Sequence, residues 1–199
     1  MEKVYRPRAI ESIAQSVLMQ YNPLLVNGDP IEIPIEEIIE VFYGIILQYR
    51  NLTKSGNIHG MTVFEKCVIP IFDDKNKQYE PILVQSGTIL IDKRLLTKPN
   101  QRRLRFTLAH ELAHYIIHSE HYSETKTLAE KISSDSDIRT EKEADELAAA
   151  LLMPMGRLKV AAKRLSGKRN KKELIITLSD LFNVSTKAME IRLERLGLA

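Results

Sequence analysis

One cysteine, Cys67, stands in 199 residues, so no intramolecular disulfide can form and no thiolate-rich metal site can be built. Long apolar runs are lacking too. The best candidate, around Val41 to Leu47, is interrupted by Gly44 and falls far short of the roughly 20 residues that span a bilayer. The opening residues, Met-Glu-Lys-Val-Tyr-Arg-Pro-Arg, carry none of the apolar stretch of a secretory signal. These absences lead to the expectation of a cytoplasmic protein without a membrane partner. The eight glycines form no phosphate-binding loop, and no internal repeat is visible.

What is present suffices for a core. A hydrophobic content of 44% suits one domain of ordinary size with an appendage, divided here as residues 1–156 and 157–199. Charge is uneven. Between Arg157 and Lys172 stand eight lysines and arginines and no acid, so with an overall +3 the remainder carries −5. Such a basic run invites an anionic partner, DNA contact above all, or equally serves as a solvated surface.

Periodicity gives an α+β layout. Amphipathic helices are predicted over Pro7 to Gln20 and from Pro34 to Gly44, with proline and glycine at their preferred ends. Short β-branched runs at Ile45 to Tyr49, Met61 to Phe72 and Thr88 to Asp92 predict a small antiparallel sheet, with Cys67 packed in a strand. Helix returns from Asn100 to His118 and, after a polar loop, from Thr140 to Met153, closed by Pro154. Two short helices with a tight turn end the chain, the outline of a helix-turn-helix or of a plain helical hairpin.

The pattern that carries chemistry is His110-Glu111-Leu-Ala-His114. Residues four apart on a helix share a face with Cβ atoms about 6 Å apart, so both imidazoles can reach one zinc ion at about 2.0–2.1 Å. Glu111, one position on, is rotated off the ligand pair towards a water on the ion, the place of a general base. The pair shares its stripe with Phe106, Ala113 and Ile117, where an unpaired imidazole would be costly.

A catalytic zinc needs a third protein ligand and an open position. The long metzincin motif is excluded, since Ile117 and Glu120 stand where it requires Gly and His. The acids of the second helix, Glu141, Glu143, Asp145 and Glu146, are the candidates. Glu143 shares a face with Leu147, Ala150 and Leu151, yet Thr140-x-x-Glu143 also fits a capping box. Periodicity leaves the choice open.

The segments Arg105-Phe-Thr-Leu-Ala-His-Glu-Leu-Ala-His-Tyr-Ile-Ile-His118 and Glu143-Ala-Asp-Glu-Leu-Ala-Ala-Ala-Leu-Leu-Met-Pro154 resemble the ImmA/IrrE family of metallopeptidases. Val184-Ser185, Ala188-Met189, Arg192-Leu193 and Leu196-Gly197 resemble its closing segment. The likeness covers roughly residues 100–199. Ala113 stands where members have Gly, and Leu147 where they have Phe. The resemblance implies a zincin-like domain with Zn²⁺ on His110, His114 and Glu143, Glu111 as catalytic base, and a helix-turn-helix repressor as protein substrate. His118 would cap the end of its helix. Tyr115, Tyr122, His59 and His121 are the candidates for stabilising an oxyanion. The alternatives are a DNA-binding or stress-response regulator with a structural or sensing metal, and a toxin–antitoxin component.

Overall fold

Helix α1 (Pro7–Tyr21) places Pro7 in its first turn, where the missing N–H removes no bond, and buries Ile10, Ala14, Val17 and Leu18 on one face. The structure, a computed structural model, describes residues 4–122, 135–165 and 170–198, the side chains of 120–122 and 135–137 excepted. Helix α2 (Ile35–Glu37) widens into a π turn over Ile38–Phe42, with the Tyr43 N–H reaching the Ile38 carbonyl at 3.1 Å. Gly44, at φ +64°, then turns the chain into the β region.

Five strands follow: β1 (Ile46–Arg50), β2 (Gly60–Val63), β3 (Cys67–Asp73), β4 (Gln78–Val84) and β5 (Thr88–Asp92). They do not form the single antiparallel sheet expected. β5 is central in a three-stranded sheet, parallel to β1 and antiparallel to β2, while β3 and β4 form a separate antiparallel hairpin. The run Met61 to Phe72 is two strands, broken at Phe64-Glu65-Lys66. β4 lies outside the runs expected as strands and carries Pro81 in its interior. It is tolerated because Pro81 lies opposite Pro70, and Pro70 shares the parity of Phe72, whose N–H points away from β4 to the Asn51 carbonyl at 2.9 Å. At such a pair the ladder asks for no N–H.

β5 is buried along its whole length. Its alternate residues face opposite layers: Ile89 and Ile91 join the helical core, while Leu90 joins Leu52, Val63, Ile69 and Val84 beneath the hairpin. Helix α3 (Gln101–Tyr122) crosses the helical side of the sheet and packs on α4 (Asp135–Leu152) through Leu108, Leu112, Ala144, Leu147, Ala148 and Leu151, all buried. α4 begins earlier than expected, so Thr140 lies inside the helix and the capping-box reading of Glu143 is lost.

Pro154 separates α4 from α5 (Met155–Leu165), followed by α6 (Lys171–Leu181) and α7 (Thr186–Arg195). Asn170 and Ser185 cap the last two, their side-chain oxygens accepting from the Glu173 and Ala188 N–H groups, and Asn183 turns between them at φ +49°. Leu158, Leu178, Phe182, Met189 and Leu193 belong to the same buried cluster as Ile10 and Leu108. One buried cluster thus includes residues of α5, α6 and α7 together with those of α1 and α3. No helix among the described residues is long and apolar enough to cross a membrane.

Candidate metal centre

Helix α3 brings the two histidines together as their spacing requires: His110 Nε2 and His114 Nε2 lie 3.0 Å apart. The carboxylate that meets them belongs to Glu141, with Oε2 at 3.1 Å from His110 Nε2 and Oε1 at 3.2 Å from His114 Nε2. Ligand atoms of a tetrahedral zinc at 2.0–2.1 Å stand about 3.3 Å apart. Among the described residues, His110, His114 and Glu141 form the group able to hold a metal ion.

The donor set fits a cation for a reason of proton balance. His110 Nδ1 faces Asp145 Oδ1 at 3.0 Å, and a carboxylate only accepts, so the ring proton sits on Nδ1. Nε2 then offers a lone pair to His114 Nε2 and to the Glu141 carboxylate. Converging acceptors need a positive charge between them. Burial pulls the His110 imidazole down, yet hydrogen bonds to the Asp145 and Glu141 carboxylates outweigh it and push the ring up to about 10, so the surroundings of this ring favour positive charge. The two adjacent imidazoles hold the Glu141 carboxyl well below its ordinary range.

The four candidate acids of α4 are placed differently. Glu141 completes the cluster. Asp145, one turn on, orients His110. Glu143, expected as the third ligand, stands outside the cluster and faces His118 Nε2 through Oε2 at 3.3 Å and the Tyr5 N–H through Oε1 at 3.1 Å. Glu146 pairs with Arg195 at 3.5 Å. Burial distinguishes the two: Glu143 is the hidden carboxylate at 7% side-chain exposure, whereas Glu141, which meets the two histidines, is 57% exposed. His118 also departs from expectation. It lies a turn before the helix end, with its ring nitrogens at His114 Nδ1 and at Glu143.

Glu111 is buried beside the histidines. Thr62 Oγ1 on β2 lies 2.8 Å from Glu111 Oε2 and 2.9 Å from the Glu111 carbonyl. Gly60 makes room for it: a Cβ there would meet Glu111 Oε1 at 2.5 Å. Burial pushes the Glu111 carboxyl up, opposed by the two histidines and by Thr62. Sequence reasoning missed Gly60 and Thr62 because nothing local marks them; only the sheet brings them to α3.

These groups line a cavity of about 910 Å³ between α3, β2 and the start of β3, walled by Met61, Val63, Phe64, Ile69 and Phe106. Cys67, on β3 as expected, also reaches it. Of the four oxyanion candidates, His59 lines the cavity, with Arg103 N–H donating to its Nε2 at 2.6 Å. Burial, then the Arg103 charge, pulls the His59 imidazole down. Tyr115 packs edge-on against Tyr43 at 6.1 Å. The side chains of His121 and Tyr122 lie outside the described residues.

Two imidazoles one helical turn apart, a facing carboxylate and a buried glutamate in one cavity define a metallopeptidase-type site on an α+β fold. The chain belongs to the ImmA/IrrE peptidase family: the family model described as the IrrE N-terminal-like domain matches residues 58–194. Comparison with curated proteins finds no match. Among solved structures, a Mycobacterium tuberculosis transcriptional regulator is similar in fold, with a TM-score of 0.56 at 14% identity. The alignment covers 94% of this chain and 46% of that one, so the chain spans about half the length of that protein.

Proposed function

We propose that the chain is a zinc-dependent endopeptidase that cleaves a helix-turn-helix repressor and so releases the genes it silences. The observation that carries this reading is the meeting of His110, His114, Glu141 and Glu111 in one cavity. Two imidazoles and a carboxylate suit zinc and leave a position for water. When bound there, zinc would polarise the scissile carbonyl and lower the pKa of water to about 7.

The protein's own groups supply the rest. Thr62 holds Glu111 Oε2, which leaves Oε1 to take the water's proton and pass it to the leaving amine. Asp145 keeps His110 in the tautomer that presents Nε2. The cationic Arg103 beside His59 offers N–H donors on the cavity wall for a developing oxyanion. β2 is an edge strand of its sheet. Since the His59 and Val63 carbonyls accept from Asp92 and Gly87, alternation turns the N–H and C=O groups of Gly60 and Thr62 outwards, where an extended peptide can pair.

The DNA-binding alternative draws less support. Arg157 is buried and donates to the Leu24 and Leu25 carbonyls, and Arg164 pairs with Asp29, so two cations of the basic run are engaged within the fold. On α7, Lys187 pairs with Glu190, Arg192 with Glu11 and Arg195 with Glu146.

The test incubates the zinc-loaded protein with purified helix-turn-helix repressors encoded beside it, with and without chelator. Cleavage by the wild type, abolished by chelator and by Glu111→Gln, is expected. Equal cleavage by Glu111→Gln would remove the mechanism, and intact repressors throughout would remove the substrate class.

A further inference from the structure

Behind the metal-facing edge of His114 runs a line of buried polar groups that the proposed chemistry does not use. His114 Nδ1 lies 3.1 Å from His118 Nδ1, His118 Nε2 lies 3.3 Å from Glu143 Oε2, and Glu143 Oε1 accepts the Tyr5 N–H at 3.1 Å. His118 and Glu143 are buried, at 4% and 7% side-chain exposure. The line begins in α3, passes to α4 and ends on the backbone ahead of α1.

We propose that His118 and Glu143 are positioning residues that fix the tautomer and tilt of His114 and thereby raise the zinc affinity of the site. This rests on the reading of His110, His114 and Glu141 as a zinc site. The direction of the chain follows from valence alone. A neutral His114 that gives Nε2 to a cation carries its proton on Nδ1, so Nδ1 donates and His118 Nδ1 accepts. His118 then carries its own proton on Nε2 and donates it to the Glu143 carboxylate. The Tyr5 N–H occupies the other carboxylate oxygen. Every proton has a place with both rings neutral, and the carboxylate makes His114 a better donor through the intervening ring.

The two ligand histidines thus have different supports. His110 is backed directly by Asp145, which is 54% exposed. His114 is backed through His118 by the hidden Glu143. The second arrangement explains why a carboxylate and an imidazole are buried together at a helix contact where an apolar pair would pack with less desolvation.

The experiment measures the zinc dissociation constant of the full chain by competition with a chromophoric chelator. The variants are His118→Leu, His118→Gln and Glu143→Gln, with circular dichroism of each metal-free form as a folding control. A glutamine amide carries an acceptor and a donor separated by one carbon, as do the two nitrogens of imidazole, so it can relay without titrating. We expect His118→Leu to bind zinc about 10–100-fold more weakly, His118→Gln to recover most of that loss, and Glu143→Gln to fall between. The ¹⁵N shifts of the His114 ring in the zinc form should report a protonated Nδ1 in wild type and in His118→Gln. Wild-type affinity in a folded His118→Leu protein, or an unprotonated His114 Nδ1 in the wild type, would overturn the relay. If His118→Leu fails to fold, a folded His118→Gln protein as weak as Glu143→Ala overturns it instead, and near-wild-type affinity supports it. A wild-type chain that binds no zinc would overturn the metal site itself, which separates the two failures.

Discussion

Replacing Gly60 with alanine isolates the placement of Glu111 from the metal. Gly60 has no left-handed φ, so alanine strains no backbone, and the whole effect comes from one methyl group. That Cβ would lie 2.5 Å from Glu111 Oε1, 2.8 Å from Cγ and 2.9 Å from Cδ. Ordinary contacts begin at about 3.5 Å, so the carboxylate must retreat by about 1 Å. The backbone of Gly60 cannot easily yield instead, because the neighbouring His59 carbonyl is tied to the Asp92 N–H at the end of β5. Thr62 holds the other carboxylate oxygen, so the retreat also weakens that bond. A misplacement of about 1 Å in a reacting group costs on the order of 10²-fold in rate, or about 2.7 kcal/mol in the transition state. Overpacking adds about 1–3 kcal/mol of lost stability. None of His110, His114 or Glu141 is touched, so zinc affinity should stay within a few-fold of wild type. A peptide cleaved by the wild type, found in a proteome-derived library by mass spectrometry, provides the kcat/KM assay, with bound zinc measured in parallel. A folded Gly60→Ala protein that cleaves within threefold of wild type would refute the placement of Glu111, and loss of zinc would refute its separation from the ligands.

Three further outcomes follow from the same geometry. Glu141→Ala should purify with little zinc while Glu143→Ala keeps it at weaker affinity; metal analysis after dialysis decides, and the reverse order would return Glu143 to the ligand set. Because burial raises the Glu111 carboxyl and a base must be unprotonated, activity should be lost on acidification at a pH above the ordinary glutamate range. Thr62 favours the charged form, so Thr62→Val should move this acidic limb higher still in a pH profile of kcat/KM, and a downward move would contradict the assignment. Arg157→Met removes a buried guanidinium from the Leu24 and Leu25 carbonyls, which should cost about 3 kcal/mol and lower Tm by roughly 6–12 °C in calorimetry. If Arg157 were instead a DNA contact, the salt dependence of nucleic-acid binding would change while Tm held.

The sequence by itself determined what lies within a few residues along one helix. Positions four apart must share a face, so the meeting of His110 with His114, and the offset of Glu111 from them, was legible as spacing. So were α1, the start of α2 and β5, because 3.6- and 2-residue periods record which side is buried. What lay between elements was not legible. The choice of Glu141 over Glu143 depends on the rotation of α4 against α3, and two residues along a helix turn a side chain by about 200°. The parallel pairing of β1 with β5 joins residues some forty positions apart in the chain, a contact no local period encodes. Gly60 and Thr62 became part of the site only when β2 came to lie against α3. Local sequence sets directions around each axis, and only packing decides which directions meet.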